Sequence, residues 1–414
     1  MKIKVLIFPH TCRRDVSSAL VLEGFLIKEN FDVQITSMVN LEKWLKFWKP
    51  EILIVYSHGK NKKIKEKFKN IKIIFIDGEV FQLSYEDRAR QFSKDATEFD
   101  SLDLILVGGE LAKKSFKKFN LDTSKVHVVG NTRFDTARFL MSKKITRKKE
   151  VGFVGSFPLI NHHSDFPVIR GIKNDKGLKY GIVSLYGFNA FYKALIYVLK
   201  NTNYQVSLRP HPNESIENYK KFIVDKIEAI YKKRIHIDAS LDFSIWASKL
   251  SCIVSPTSTS IIQATLVGTP VLNLSNISGQ KDFWNNYAKS YKNCNSSSII
   301  PKDLKNLKYQ LNNIKHKPII NKNIQQQLNK ECDWKNEEYS NLRSAIIINK
   351  FSKNIYRNYV RLPKFFLRII EFFVFKKALK NNAKILNFNY CEFFHSQPNE
   401  VSTLVNERLK NGKL

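Results

Sequence analysis

Over the first 135 or so residues, short aliphatic runs without polar alternation recur between amphipathic stretches. Residues 4–8, 33–36, 52–56, 71–76, 102–107 and 126–129 read as strands. Residues 16–30 and 110–119 place apolar side chains at helical spacing between strands. A strand that is apolar on both faces has to be buried on both, which calls for a parallel sheet covered by helices. The pattern predicts a Rossmann-like α/β domain over residues 1–145.

The charged stretch 145–150 (ITRKKE) breaks the pattern and reads as a linker. A second series then begins at 151–156 (VGFVGS). It predicts a helix over 188–199, a strand at 204–208, a helix over 216–231, a strand at 253–254, a helix over 258–267 and a strand at 270–274. These define a second α/β domain over 150–300. No GxGxxG loop stands in the first domain. Two such domains in tandem outline a pair facing a cleft, with ligands at the carboxyl ends of the strands. From 301 to 414 the chain becomes polar, helical and basic. Residues 361–377 put Lys364, Arg368 and Glu371 on one stripe of a helix otherwise filled with Phe and Ile, flanked by Arg357, Arg361, Lys376, Lys377, Lys380 and Lys384. Such a helix either packs against a domain or lies in an anionic membrane interface.

Composition narrows the class. With 43% apolar and 12% aromatic residues in 414, the chain can build folded cores despite a net charge of +32. Apolar runs fall short of the ~18–20 residues of a membrane span, and the strand-like opening at 4–8 does not read as a signal peptide. The five cysteines are scattered without a C-x-x-C pair, so neither a disulfide framework nor a zinc site is expected, and the expected compartment is the cytoplasm. The lysines are dispersed, as in 60–67 (KNKKIKEK), which suits solvated faces. What remains of the charge points to anionic partners: a membrane surface or a phosphorylated substrate ahead of nucleic acid.

Two segments carry candidate chemistry. Ser207-Leu-Arg-Pro-His-Pro-Asn-Glu214 follows a strand and precedes a helix, so Arg209, His211 and Pro212 sit at a strand end. An Arg and a His fixed between prolines suit a phosphate, and His211 can donate to a departing phosphate oxygen. The plain alternative is a proline-rich turn with a surface histidine. In the second segment, Ser255, Thr257, Ser258, Thr259 and Ser260 form a hydroxyl cluster at a strand end, and Gly268-Thr-Pro270 precedes the next strand. Hydroxyls and free backbone N–H groups there form an anion site, or they simply cap a helix.

Together, R-P-H-P, the S-x-T-S-T-S run and G-T-P-V resemble the nucleotide-binding half of GT-B glycosyltransferases. The order of Asp77-Gly-Glu79, His211-Pro212 and Ser258-Thr259-Ser260 is similar to that of bacterial sialyltransferases and Kdo (3-deoxy-manno-octulosonate) transferases. The acidic motif departs from the sialyltransferase form by its intervening Gly. Arg13-Arg-Asp15, Gly130-Asn-Thr-Arg-Phe-Asp135 (with Thr132 where Pro is usual), 151–157 and Asn161-His-His163 resemble surface-carbohydrate enzymes that include retaining Kdo transferases. The likeness spans about residues 1–280.

The resemblance implies an α/β, GT-B-like fold with a helical C-terminal extension and a metal-independent glycosyltransferase using a CMP-sugar, Kdo ahead of sialic acid. Asp135 would be the catalytic carboxylate, Glu79 the acid/base, and His211 the group at the leaving phosphate. Arg13, Arg14, Arg133 and His162 or His163 would bind a sugar carboxylate or an acceptor phosphate. Each has a structural alternative: a helix cap for Asp135, an exposed loop acid for Glu79, helix salt bridges for Arg13 and Arg14. The acceptor would be lipid-linked or an oligosaccharide, met at the inner face of the cytoplasmic membrane through the basic C-terminal helix. The alternatives are a polyol-phosphate transferase of the CDP-glycerol type, a degenerate transferase serving as a partner subunit, and a basic nucleic-acid-binding protein, the last without a recognition motif.

Overall fold

The computed structural model describes residues 2–57, 59–78, 82–158, 160–161, 175–256, 258–279, 295–314, 320 and 322–355. Glu79, His162, His163, Thr257 and the segment 361–377 lie outside the described residues.

The chain divides into two compact units: residues 1–135 with the chain from 326 onward, and residues 136–325. The first unit holds a six-stranded parallel sheet, ordered β2-β1-β3-β4-β5-β6. Its strands are β1 (Lys4–Phe8), β2 (Asp32–Ile35), β3 (Ile52–Val55), β4 (Lys72–Ile76), β5 (Leu104–Val107) and β6 (Val126–Val128). Leu6, Leu53 and Phe75 point into a core on one face, and Val5, Ile54 and Ile74 into a core on the other. That two-sided burial is what the unalternated strands required. The second unit holds a five-stranded parallel sheet, ordered β11-β10-β7-β8-β9. Its strands are β7 (Glu150–Val154), β8 (Gln205–Arg209), β9 (Ile235–Ile237), β10 (Cys252–Ser255) and β11 (Val271–Asn273).

In both sheets the chain reverses its direction of winding beside the first strand. β1 is followed by β2 on one side and β3 on the other; β7 is followed by β8 and β9 on one side and by β10 on the other. At such a point neighbouring strands send their following loops apart, which opens a crevice beyond their carboxyl ends.

Three expectations need correction. The helical region after 301 is not a unit of its own. The Leu304–Asn312 helix buries Leu307 and Leu311 in the second unit's core, while the Ser340–Ser352 helix buries Ala345 and Ile348 in the first. Each helix carries its own apolar stripe, and each stripe finds a different core. Nor is 145–150 a free linker. Arg147 donates to the carbonyls of Ser248, Leu250 and Val267 and to Thr269 Oγ1 at 2.6–3.1 Å, so the stretch is pinned to the second unit. The helix expected over 216–231 is broken into Ile216–Phe222, a turn at Val224–Lys226 and Ala229–Lys232.

The Ser340–Ser352 helix is held to the first unit by Asp135. Its Oδ1 accepts from the Ser340 N–H, and its Oδ2 from the Asn341 N–H and the Asn341 amide, all at 2.8 Å. Asn341 also donates to the Thr132 carbonyl at 3.0 Å. A carboxylate against the first N–H groups of a helix satisfies orphan donors and meets the positive end of the helix dipole. Gly130 makes room for this docking. Its φ is +88°, and a Cβ there would run into the Arg343 guanidinium and Ser340 Oγ.

Asp135→Ala leaves these buried donors unmatched, and should destabilise the first unit by about 3 kcal/mol. Gly130→Ala should destabilise it as well. Urea unfolding of the full chain followed by tryptophan fluorescence checks both; an unchanged midpoint for Asp135→Ala would refute the anchoring role.

Candidate functional site

Two strand-end loops of the second unit are tied together by one carboxylate. Glu214 has no exposed surface. Its Oε1 accepts from the Phe157 N–H in the loop after β7, and its Oε2 accepts from the His211 N–H at 3.0 Å and the Tyr219 hydroxyl at 2.7 Å. A buried charge is tolerable only when its lone pairs are met in this way. The β7 loop approaches so closely at Gly155 that any Cβ would strike Tyr219 Oη and Glu214 Oε2. Any side chain there would force Tyr219 and Glu214 out of these contacts.

His211 is half-buried on the loop after β8. Its Nδ1 accepts the Asn213 N–H at 3.1 Å. In a neutral imidazole the accepting nitrogen carries no proton, so the proton resides on Nε2, which becomes the donor. Pro210 and Pro212 restrict the backbone on either side and so limit the swing of the ring. Nε2 is thus the ring's donor atom.

Beyond β10, Ser258 Oγ and Ser260 Oγ lie 2.9 Å apart, and the Ser260 N–H points to Ser258 Oγ at 3.3 Å. Both side chains are partly exposed, and Thr259 is exposed. Ser255 is different: it is fully buried and gives its hydroxyl to the Pro256 carbonyl at 2.7 Å. The β7 and β10 loops flank the reversal point of this sheet, and the His211 loop is next to them.

Arg209 needs correction. It is 5% exposed and committed to the fold. Its guanidinium pairs with Asp238, donates to Ser240 Oγ and the Ser240 carbonyl at 2.8 Å, and lies 5.3 Å over the Trp246 ring. The proline-flanked motif therefore joins a half-buried side chain, His211, to an internal strut.

At the strand ends of the first unit, Arg13 is buried and Arg14 half-buried in a helical turn, Cys12–Val16, after β1. Asp15 accepts the Thr11 N–H at 2.9 Å and pairs with Arg14 at 3.0 Å, which fixes this turn beside the reversal point. Burial, with Asp15 and Asp135 adding to it, pushes the Tyr56 phenol well above its ordinary range and keeps it neutral. Two sequence motifs far apart in the chain meet here. Asn131 donates to the Gly78 carbonyl at 2.9 Å, and the Arg133 side chain lies against Gly78. Asp77, the first acid of that motif, is paired with Arg88 at 2.9 Å.

Asp135, expected as a catalytic carboxylate, is 1% exposed and has both oxygens engaged by the Ser340–Ser352 helix. The capping alternative was right in kind, but the helix that it caps begins 205 residues away. Asn341 is the structural residue that motif reading passed over, because its partners Thr132 and Asp135 are distant in sequence. Glu214, which its position also allows to touch a ribose or cap the next helix, ties His211 and Tyr219 to Phe157. Among the described residues no group of His, Cys, Asp or Glu is gathered to hold a metal ion.

No protein-family model and no curated protein sequence matches the chain. Solved structures do. A variant of the wall teichoic acid polymerase TagF superposes with a TM-score of 0.50 at 12% identity, over 85% of this chain and 89% of that one. The fold is GT-B-like. UDP-GlcNAc 2-epimerase from Methanocaldococcus jannaschii, in complex with UDP-GlcNAc and UDP, gives 0.48 at 12% identity over 84% of this chain and 100% of that one.

Glu214→Ala strands three buried donors, and should cost the second unit about 3 kcal/mol, with Glu214→Gln milder because one oxygen is kept. Arg209→Ala should also destabilise it by about 3 kcal/mol, because Asp238 is left without its cation. Chemical denaturation of the full-length variants measures both; a neutral Arg209→Ala would contradict the strut assignment.

Proposed function

We propose that the chain is a glycosyltransferase that uses a CMP-activated sugar, Kdo ahead of sialic acid, to extend a bacterial surface polysaccharide such as capsule or O-antigen. One observation carries the reading: His211, the Gly155–Phe157 loop and the Ser258–Ser260 loop emerge together at the carboxyl ends of β8, β7 and β10, around the reversal point of a parallel sheet. In this reading the donor's phosphate lies against those loops. Ser258 and Ser260 donate through their hydroxyls, and His211 donates through Nε2–H to the oxygen that departs with CMP. A monophosphate leaving group met by fixed donors needs no metal in this scheme.

Arg13, Arg14 and Arg133 take the acceptor side, where guanidinium forks suit carboxylates and phosphates. Glu79 is the reading's acid/base. Asp135 has no part in the chemistry, because its oxygens already hold a helix. The acceptor is lipid-linked or an oligosaccharide, and the enzyme works in the cytoplasm, peripheral to the membrane. The basic segment 361–377 is one contact with anionic lipid in this scheme.

A second reading is transfer of a polyol phosphate from a CDP-activated donor, which also releases CMP but breaks the bond at phosphorus. The fold of a wall teichoic acid polymerase is compatible with it. Donor identity separates the two.

Calorimetry of the purified chain against CMP, CDP, UMP, UDP and GDP should give selective binding of CMP. His211→Ala should weaken it by about ten- to a hundredfold, the worth of one hydrogen bond to a charged group. Preference for UDP or GDP would overturn the CMP assignment, and silence across the panel would overturn the nucleotide site.

A further inference from the structure

The helix Asp175–Asn201 is the longest described, and its two faces differ. Phe191, Ala194, Leu195 and Val198 are buried in the second unit's core. The other face carries exposed apolar side chains. Of the eight large apolar side chains exposed among the described residues, three fall within five residues here: Ile182 at 44%, Leu185 at 56% and Tyr186 at 59%. They form one stripe, at i, i+3 and i+4, and the same stripe continues through exposed Asn189 and Lys193. The other exposed apolar side chains are scattered singly, as on ordinary surfaces.

Asp175, at its first position, is the helix's one carboxylate; from residue 176 to 201 the helix carries four lysines, at 176, 179, 193 and 200, in a chain of net charge +32. Lys200 is paired with Glu228 at 2.6 Å, while Lys193 is exposed beside the apolar stripe. The stretch Gly181–Asn201 is apolar and long enough to be mistaken for a membrane span, yet 44% of it is buried inside the unit. With one face in the core it cannot cross a bilayer, but the opposite face can lie on one.

We propose that Ile182, Leu185 and Tyr186 form a membrane-contact surface that inserts into the interface of an anionic bilayer, with Lys193 meeting lipid head groups. An aliphatic and aromatic stripe that runs on to an exposed lysine, on a helix with four lysines and no acid between residues 176 and 201, has the chemistry of an interfacial helix. Tyrosine suits the boundary because its ring is apolar and its hydroxyl stays in the head-group layer. The surface does not depend on the donor assignment, since vesicle binding requires no transfer reaction.

Flotation of the full chain with vesicles of phosphatidylcholine, with and without phosphatidylglycerol, tests this. The parent protein should float with the phosphatidylglycerol vesicles and stay behind with phosphatidylcholine alone. The double variant Leu185→Glu/Tyr186→Glu should lose at least about tenfold in partitioning, as expected when two apolar side chains no longer leave water. Leu185→Ser/Tyr186→Ser, which adds no charge, should lose partitioning too. An unchanged thermal transition shows that the helix stays packed in these variants. Parent protein that fails to float, or a double variant that floats as well as the parent, overturns the proposal. So does a parent dimer in light scattering that the double variant dissolves, because the stripe is then an interface between two copies.

Discussion

Glu214 is an ionisable side chain with no exposed surface, and a carboxylate survives there only because donors from separate parts of the chain converge on it. Those donors belong to the loop after β7, the loop after β8 and the helix behind them. The same contacts that satisfy the charge therefore set the separation of the two loops. His211 inherits its position from this arrangement through its own backbone N–H, and its tautomer from Asn213. Removing the carboxylate would release both loops, so in the proposed scheme Glu214 acts as a positioning residue.

The first unit uses the same device for a different purpose. Asp135 accepts the leading N–H groups of a helix from the far end of the chain, and Gly130 leaves the space for it to dock. Motifs that look functional in one dimension, Gly130 to Asp135 and Arg209 beside His211, turn out to mix partly exposed and architectural residues. The distinction is visible in burial and in saturation of polar atoms. Asp135 and Arg209 are buried with their charged atoms engaged, whereas Ser258, Ser260 and His211 retain exposed surface.

Most of the architecture was legible because parallel strands buried on both faces leave unalternated aliphatic runs. β1 was read to the residue, and most of the others to within one or two at each end. β9 was not anticipated: Ile235–Ile237 is a three-residue edge strand only partly buried, too short to show a period. The break in the helix after Ser215 was also hidden, since its three pieces share one amphipathic pattern. For the site, the proline-flanked histidine and the Ser/Thr cluster announced themselves by local turn chemistry. The roles of Asp135 and Arg209 did not, because they are decided by partners 206 and 29 residues away, and that of Glu214 is completed by Phe157, 57 residues away.

The central claim is that a nucleotide's phosphate sits at the strand ends of the second unit, against the loops held by Glu214. Hydrogen–deuterium exchange of the full chain with and without saturating CMP tests this location directly. Protection should appear at Gly155–Phe157, His211–Glu214 and Ser258–Ser260. Protection confined to the loops of the first unit, or none at any of these three segments with CMP bound, would contradict the account.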